Sequence, residues 1–305
     1  MEPLRVVFLG NDVWSVPSLE ALGESRHEVA LVVTRTPRPA PRGSDVAPTP
    51  VAEAAVRLDH PLAEVDTVRS GPGLEEIVEA HPDMLVVVAY GEILTEEVLD
   101  IAPAVNVHFS LLPALRGASP VQHALLAGLA QTGVTTMRMD RNLDTGPILL
   151  QAKLEVLPED DAGSLGKRLA LRGASLLVES LDRRGEIEPR AQDHSKATYA
   201  PKLGPEDRRL DWEEDAEAIV RRIRAFAPEP GTSASFRGDV LKILRARAEA
   251  TGGQHGTILD VMTSPLVGCG RGSVLLLEVA PAGRKRMSGT DFVNGFRPEV
   301  GEPLE

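Results

Sequence analysis

Residues Met84–Ala89 read MLVVVA. Six apolar residues in a row, with no polar alternation, describe a strand covered on both faces, the condition of a strand inside a parallel sheet. Working outward, Leu4–Leu9, Glu28–Thr34, Val105–Phe109 and Val134–Met139 are further strand candidates. Helical patterns lie between them at Val16–Glu24, Val51–Leu58, Leu74–Ala80, Thr95–Ile101 and Pro120–Gly128. Ser119 and Pro120 form a helix start, a capping hydroxyl followed by proline at the first helical position. The alternation reads as βαβ units, an α/β domain with an open, mostly parallel sheet.

Ile148–Leu157 adds a strand and about 162–184 a long helix, with Leu165, Leu169, Leu176 and Leu181 on one face and Gly185 as its stop. The texture then changes. Glu188–Asp207 is polar and carries Pro189, Pro201 and Pro205, which suits a connection between domains. After a helix at Ala216–Phe226, short strand candidates punctuated by glycine run through Ser233–Phe236, Val240–Leu244, Gly256–Met262, Leu266–Gly268 and Val274–Val279. They describe a small β-rich domain, read as a barrel. The expected division is a first domain over 1–187, a linker over 188–207 and a second domain over 208–305.

The chain of 305 residues fits two domains, and 42% hydrophobic with 26% charged residues is the balance of a folded, water-soluble protein. Cys269 is the single cysteine, which excludes an intrachain disulfide and a cysteine-rich metal site and fits a cytoplasmic location. Its thiol reads as a small packing group. Leu4–Leu9 is too short for a signal-peptide core, and no apolar run approaches the roughly 20 residues that cross a bilayer. No membrane partner is expected. Three motifs fail on inspection. Gly10-Asn11-Asp12-Val13-Trp14-Ser15 lacks the later glycines of a dinucleotide fingerprint. Gly163–Lys167 is two residues short of a phosphate loop, and Arg168 stands where a magnesium-binding hydroxyl is needed. Asp144-Thr145-Gly146 occurs once, whereas an aspartic protease needs two such carboxylates.

The informative stretch is Val105–Pro113, VNVHFSLLP. In a strand Val105, Val107 and Phe109 share one face, and Asn106, His108 and Ser110 the other. A polar stripe inside a parallel sheet costs roughly 1–3 kcal/mol for each unpaired group. It lies at the carboxyl end of its strand, where open α/β sheets bind ligands. The loop Asp140–Pro147 after the next strand would bring Asp140 and Asp144 to the same edge. An amide, an imidazole and a carboxylate suit acyl transfer to an amine: Asn106 donates to a developing oxyanion, while His108 and Asp144 handle the proton. Which of the two accepts it stays open.

At these residues the chain resembles the methionyl-tRNA formyltransferase family. The likeness is carried by Asn106–Pro113, Arg116-Gly117-Ala118-Ser119-Pro120 and Leu143-Asp144-Thr145-Gly146. It extends to Val16–Leu19, Ala89-Tyr90-Gly91, Tyr199–Lys202, Ile223–Phe226 and Lys285-Arg286-Met287. The resemblance implies a Rossmann-like formyltransferase domain and a C-terminal OB-like β-barrel domain. It implies transfer of a formyl group from 10-formyltetrahydrofolate to methionyl initiator tRNA, with no metal, in a monomer of the cytoplasm. It makes Asn106, His108 and Asp144 the catalytic set. Ser110, Leu111, Leu112 and Pro113 would contact the folate, Tyr90, Ile93 and Leu94 would line the pterin pocket, and the loop from Asp140 would close it. Trp14 would stand near the methionine, and Arg38, Arg42, Arg284, Lys285 and Arg286 would meet the tRNA. A formyltransferase acting on an amino sugar or small amine, a hydrolase of the formylated folate and a noncatalytic RNA-binding protein are the competing readings.

The chain departs from the family pattern at Asn11-Asp12, where Thr-Pro is usual, at Ser44 and Asp45 in a loop often richer in basic residues, and at Glu229, where Trp is usual. Net charge is −12, which argues against nucleic acid until it is divided. Residues 1–205 hold 19 basic and 29 acidic side chains, net −10, and residues 206–305 hold 14 and 16, net −2. Arg221, Arg222, Arg224, Arg245 and Arg247, with the 284–286 cluster, fall in the less acidic half.

Overall fold

The structure is a computed structural model and describes residues 2–37 and 47–305. The chain divides into two compact units. The first comprises residues up to Pro120, Gln131–Glu155 and Gly166–Pro201; the second comprises Val121–Ala130, Val156–Leu165 and Lys202–Glu305. The segment 188–207 is thus shared out between them at Pro201 and Lys202.

The first unit is built on a seven-stranded sheet of β1 (Arg5–Gly10), β2 (Glu28–Arg35), β3 (Leu62–Val65), β4 (Met84–Val88), β5 (Ala104–His108), β6 (Gln131–Arg138) and β7 (Ile148–Glu155), in the order β3-β2-β1-β4-β5-β6-β7. The first five are parallel, and β6 and β7 run antiparallel to their neighbours. All five residues of β4 are buried, as its unbroken apolar run requires. Helices α1 (Val16–Gly23), α2 (Pro50–Arg57), α3 (Pro72–Glu79) and α4 (Glu96–Leu99) connect the parallel strands. Prolines stand at the starts of α1, α2 and α3, where a missing N–H costs no helix bond. Thr49 caps α2 by accepting from Ala52 N at 3.0 Å. Val7, Leu9, Leu31, Val33, Ile77 and Leu85 belong to one buried cluster against this sheet.

Helix α5 (Pro120–Leu126) begins at the Ser119–Pro120 signal, and α6 covers Ala162–Asp182. Strand β3 has no counterpart in the sequence pattern because only Ala63 of its four residues is buried. The antiparallel course of β6 is a second difference. It sets Arg138 beside Val105 and Thr135 beside His108, so β6 ends near the start of β5 rather than beside its carboxyl end.

In the second unit, α7 (Ala216–Phe226) precedes β8 (Thr232–Phe236), β9 (Asp239–Glu249), β10 (Ile258–Asp260), β11 (Leu266–Gly268), β12 (Ser273–Pro281), β13 (Met287–Ser288) and α8 (Gly289–Phe296). The strands form one antiparallel sheet in the order β10-β11-β12-β9-β8, with β13 on β12. Trp212, Ile219, Ile223, Leu241, Val274 and Phe292 lie in its core. The strand order is an open path. Residues 302–305 run between its two edges: Ser235 and Glu305 exchange backbone bonds, Leu304 N donates to Gly256 O, and Ile258 N donates to Glu302 O.

The α7 arginines are held within this unit. Arg221 Nε donates to Leu126 O at 3.2 Å, a carbonyl at the end of α5, where no helical N–H reaches it. Arg222 pairs with Glu214 at 2.7 Å, and Arg224 Nε donates to Asp160 O at 2.6 Å. Their clustering in sequence serves internal anchoring. Cys269 is buried, and desolvation pushes its thiol up to about 12. No helix among the described residues is long and apolar enough to cross a membrane.

Candidate active site

Strand β5 places Asn106 and His108 on one face by simple alternation. Asn106 is partly exposed, and its side-chain amide has no hydrogen-bond partner among the described residues. His108 is buried at 6% exposure. Its Nε2 lies 2.9 Å from Leu115 O, and because a carbonyl only accepts, Nε2 carries the proton. Nδ1 is then the lone-pair nitrogen of the neutral ring, and it faces Asp144 Oδ2 at 3.7 Å. That gap is too long for a hydrogen bond. It is wide enough for one N–H or O–H group to serve both atoms.

Asp144 reaches this position by a route other than the one its place after β6 suggests. Met139 N donates to Ala104 O, at the start of β5, and the loop beyond must turn back to meet His108. It does so through a left-handed residue, Asp144 itself at φ 54°, which costs about 1 kcal/mol for a side-chain-bearing residue. Asp144 Oδ2 accepts from Gly117 N at 2.7 Å, which ties it to the chain leaving β5. Gly117 is needed there, since its φ is 121° and a Cβ would meet Ala200 O at 2.6 Å.

Asp140 is turned to its own loop: it accepts from Thr145 Oγ1 at 2.7 Å and from Asn142 N at 3.0 Å. Ser110 Oγ donates to Ala114 O at 2.5 Å, closing the turn after β5. Leu111 is half-buried. Leu112 is 3% exposed, with its N–H on Thr135 Oγ1 at 3.1 Å and its carbonyl accepting from Gln151 Nε2 at 2.9 Å. The carbonyl of Pro113 accepts from Thr198 N. Tyr90 and Leu94 are buried in the same cluster as Val7 and Leu85, whereas Ile93 is 66% exposed. Burial pushes the Tyr90 phenol up, and its hydroxyl has no partner among the described residues. Trp14 meets Phe109 edge-on with ring centroids 6.2 Å apart.

Arg38 and Arg42 lie outside the described residues. Arg284, Lys285 and Arg286 are exposed in the second unit between β12 and β13, with Arg286 Nε 3.3 Å from Glu278 Oε1. Among the described residues no group of three His, Cys, Asp or Glu side chains is placed to hold a metal ion.

Two residues of this neighbourhood carry no role in the sequence reading. Arg116, 3% exposed, donates from Nε and Nη2 to Gln192 Oε1 at 3.2 and 2.6 Å, and from Nη2 to His194 Nδ1 at 3.0 Å. Gln192, 6% exposed, donates from Nε2 to Asp144 O at 2.9 Å and Gly146 O at 2.7 Å. Gln192 falls in the polar, proline-bearing stretch read as a connection, where no local pattern marks it.

The family model described as Formyl transferase matches residues 4–181, and that described as Formyl transferase, C-terminal domain, matches residues 202–297. The methionyl-tRNA formyltransferase of Thermus thermophilus is 45% identical over 304 residues, 99% of each chain. That of Solibacter usitatus is 44% identical over 308 residues, covering 99% of this chain and 98% of its own. Among solved structures, the N-formyltransferase from Helicobacter canadensis, in complex with folinic acid and dTDP-3-aminofucose, shares the fold. Its TM-score is 0.68 at 18% identity, over 90% of this chain and 98% of its own.

Proposed function

The chain belongs to the methionyl-tRNA formyltransferase family, and from that premise we propose that it transfers the formyl group of 10-formyltetrahydrofolate to the α-amino group of methionyl initiator tRNA. The observation that carries the chemistry is the Asn106 amide, without a hydrogen-bond partner among the described residues, on the strand face of an imidazole whose Nδ1 faces Asp144 Oδ2 across 3.7 Å. The methionyl amine attacks the formyl carbon, and the Asn106 amide donates to the oxyanion that develops. Such a donor is worth about 3–4 kcal/mol of barrier. The carbon–N10 bond then breaks with its electron pair going to N10, which is protonated, and the incoming nitrogen releases a proton. His108 Nδ1 and Asp144 Oδ2 flank the place where that proton leaves, and their separation lets one ammonium bond to both.

The folate enters as a substrate. Ser110, Leu111, Leu112 and Pro113 would border it, the loop from Asp140 would cover it, and Tyr90, whose hydroxyl has no partner among the described residues, is assigned with Ile93 and Leu94 to its pterin end. Trp14 is assigned to the methionine end, and Arg38, Arg42, Arg284, Lys285 and Arg286 to the tRNA. The formyl chemistry is assigned to residues 1–187, with 188–207 connecting them to an RNA-directed domain over 208–305. The bonds of residues 302–305 to both sheet edges support an OB-like barrel closed by that segment. The reading also carries a monomer in the cytoplasm, with no metal and no membrane partner.

The 45% and 44% identity to methionyl-tRNA formyltransferases along nearly the whole chain favours the tRNA substrate over an amino sugar. Incubation with 10-formyltetrahydrofolate and charged initiator tRNA is expected to give formylmethionyl-tRNA. Formylation of a small amine with methionyl-tRNA left untouched would overturn the reading.

A further inference from the structure

Asp144 is a short acid in a loop that doubles back, at a backbone conformation that L residues seldom adopt. Something must hold it there. Its carboxylate bond to Gly117 N fixes one oxygen, but the loop that carries it needs an anchor of its own. Resting on the function proposed above, we propose that Gln192 is a positioning residue: it sets the Asp144 carboxylate against His108 by clamping the carbonyls on either side of Thr145.

The orientation of the Gln192 amide is settled by its partners. A guanidinium only donates, so Oε1 faces Arg116; carbonyls only accept, so the NH2 group faces Asp144 O and Gly146 O, one hydrogen to each. Nothing in this arrangement tolerates the opposite amide orientation. Arg116 makes the clamp directional. It is a buried cation whose acceptors here, Gln192 Oε1 and His194 Nδ1, are both uncharged, and it holds the amide from behind. Arg116 is also the residue before Gly117, whose N–H binds the Asp144 carboxylate. Arg116 N donates to Thr198 O and Ala200 N donates to Arg116 O, so the segment that carries Gln192 is laced to the chain leaving β5. Gln192 therefore joins the loop after β5, which carries the bond partner of the carboxylate, to the loop after β6, which carries the carboxylate. Among the described residues its amide makes no hydrogen bond to the imidazole or to the carboxylate oxygens, so its effect passes through the Asp144 backbone.

The test is Gln192→Glu. Glu keeps the acceptor for Arg116 and replaces the two N–H donors by an oxygen facing two carbonyls. Expected are a fall in kcat of about 100-fold, the scale of a 1 Å misplacement at a reacting centre, and a KM for 10-formyltetrahydrofolate within about twofold of wild type. In an Asp144→Asn background, read by single turnover, the same substitution should lose no more than about threefold, because its target is already gone. Gln192→Met, which keeps the volume and removes both the donors and the acceptor for Arg116 without adding repulsion, takes the same cycle if the Glu variant does not fold. A kcat within threefold of wild type, or an equal loss in both backgrounds, would show a merely structural residue and overturn the inference. Absence of formyl transfer by the wild-type chain would instead overturn the functional reading on which it rests.

Discussion

Nδ1 of His108 stands 3.7 Å from Oδ2 of Asp144, while the opposite ring nitrogen donates to the carbonyl of Leu115. The two facing atoms are both acceptors when the ring is neutral, so the pair is complete only when a donor lies between them. In Asp144→Asn the atom that faces the ring is also the one that accepts from Gly117 N, so the amide oxygen stays at that place and the substitution removes the carboxylate charge and its basicity. The expected outcome is a folded protein whose kcat falls about 10²–10⁴-fold, the range of a lost acid–base group. His108→Ala should fall in the same range, and full activity in the alanine variant would remove His108 from the catalytic set. Formylation of methionyl-tRNA, followed with labelled donor, measures both.

Gly166, in α6, sits beneath the Trp14 indole. A Cβ there would lie 2.3 Å from Cε2 and Cζ2 of the ring, and Trp14 in turn meets Phe109, the residue after His108. An indole cannot yield as a flexible chain end does. Gly166→Ala should therefore displace Trp14, costing about 1–3 kcal/mol of stability as overpacking does. It should also raise KM for methionyl-tRNA if the ring stands at the methionine end. Urea denaturation and steady-state kinetics on the one variant read the two effects, and an unshifted urea midpoint would contradict the packing.

Tyr90 is 2% exposed and its hydroxyl has no partner among the described residues. A buried unpartnered hydroxyl costs about 1–3 kcal/mol. Tyr90→Phe keeps the ring in its cluster and deletes the orphaned group, so the ligand-free protein should melt about 2–4 °C higher, the shift that about 1 kcal/mol gives a domain of this size. A lower melting temperature would mean that the hydroxyl is satisfied in the folded protein.

How much of this site could be read from sequence depends on whether a residue's role is local. The polar face of β5 was legible because strand alternation alone puts Asn106 and His108 together. β4 was legible because five buried residues in succession leave an unbroken apolar run. The antiparallel turn of β6 was not, since pairing direction leaves no trace in the composition of a strand, and the path of Asp144 was misjudged with it. Gln192 was invisible for a related reason: its partners lie 76 and 48 residues away, at Arg116 and Asp144. Arg116 carries part of the family likeness, but nothing in its local sequence shows that its side chain is 3% exposed and bonded to Gln192. The α7 arginines erred in the other direction, a basic cluster in sequence that folds into separate internal anchors.

His27 supplies a pH dependence. Its ring is buried, and Nδ1 accepts from Leu4 N at 3.1 Å, a bond that requires the unprotonated nitrogen. Desolvation holds its pKa below the ordinary histidine value, outweighing the nearby Asp182 carboxylate, whose Oδ1 lies 3.4 Å from Nε2. With the folded pKa depressed, the unfolded chain binds the extra proton first as pH falls. The stabilisation is present above the unfolded value, about 6.5, and is lost progressively below it toward the folded pKa. Urea unfolding between pH 7.5 and 5 should therefore show stability declining with acidification, and His27→Gln should flatten that slope. NMR titration of the His27 ring in the folded protein should give a midpoint below that of an exposed histidine. A midpoint above the ordinary value would mean that Asp182 prevails over burial, and the slope would then change sign.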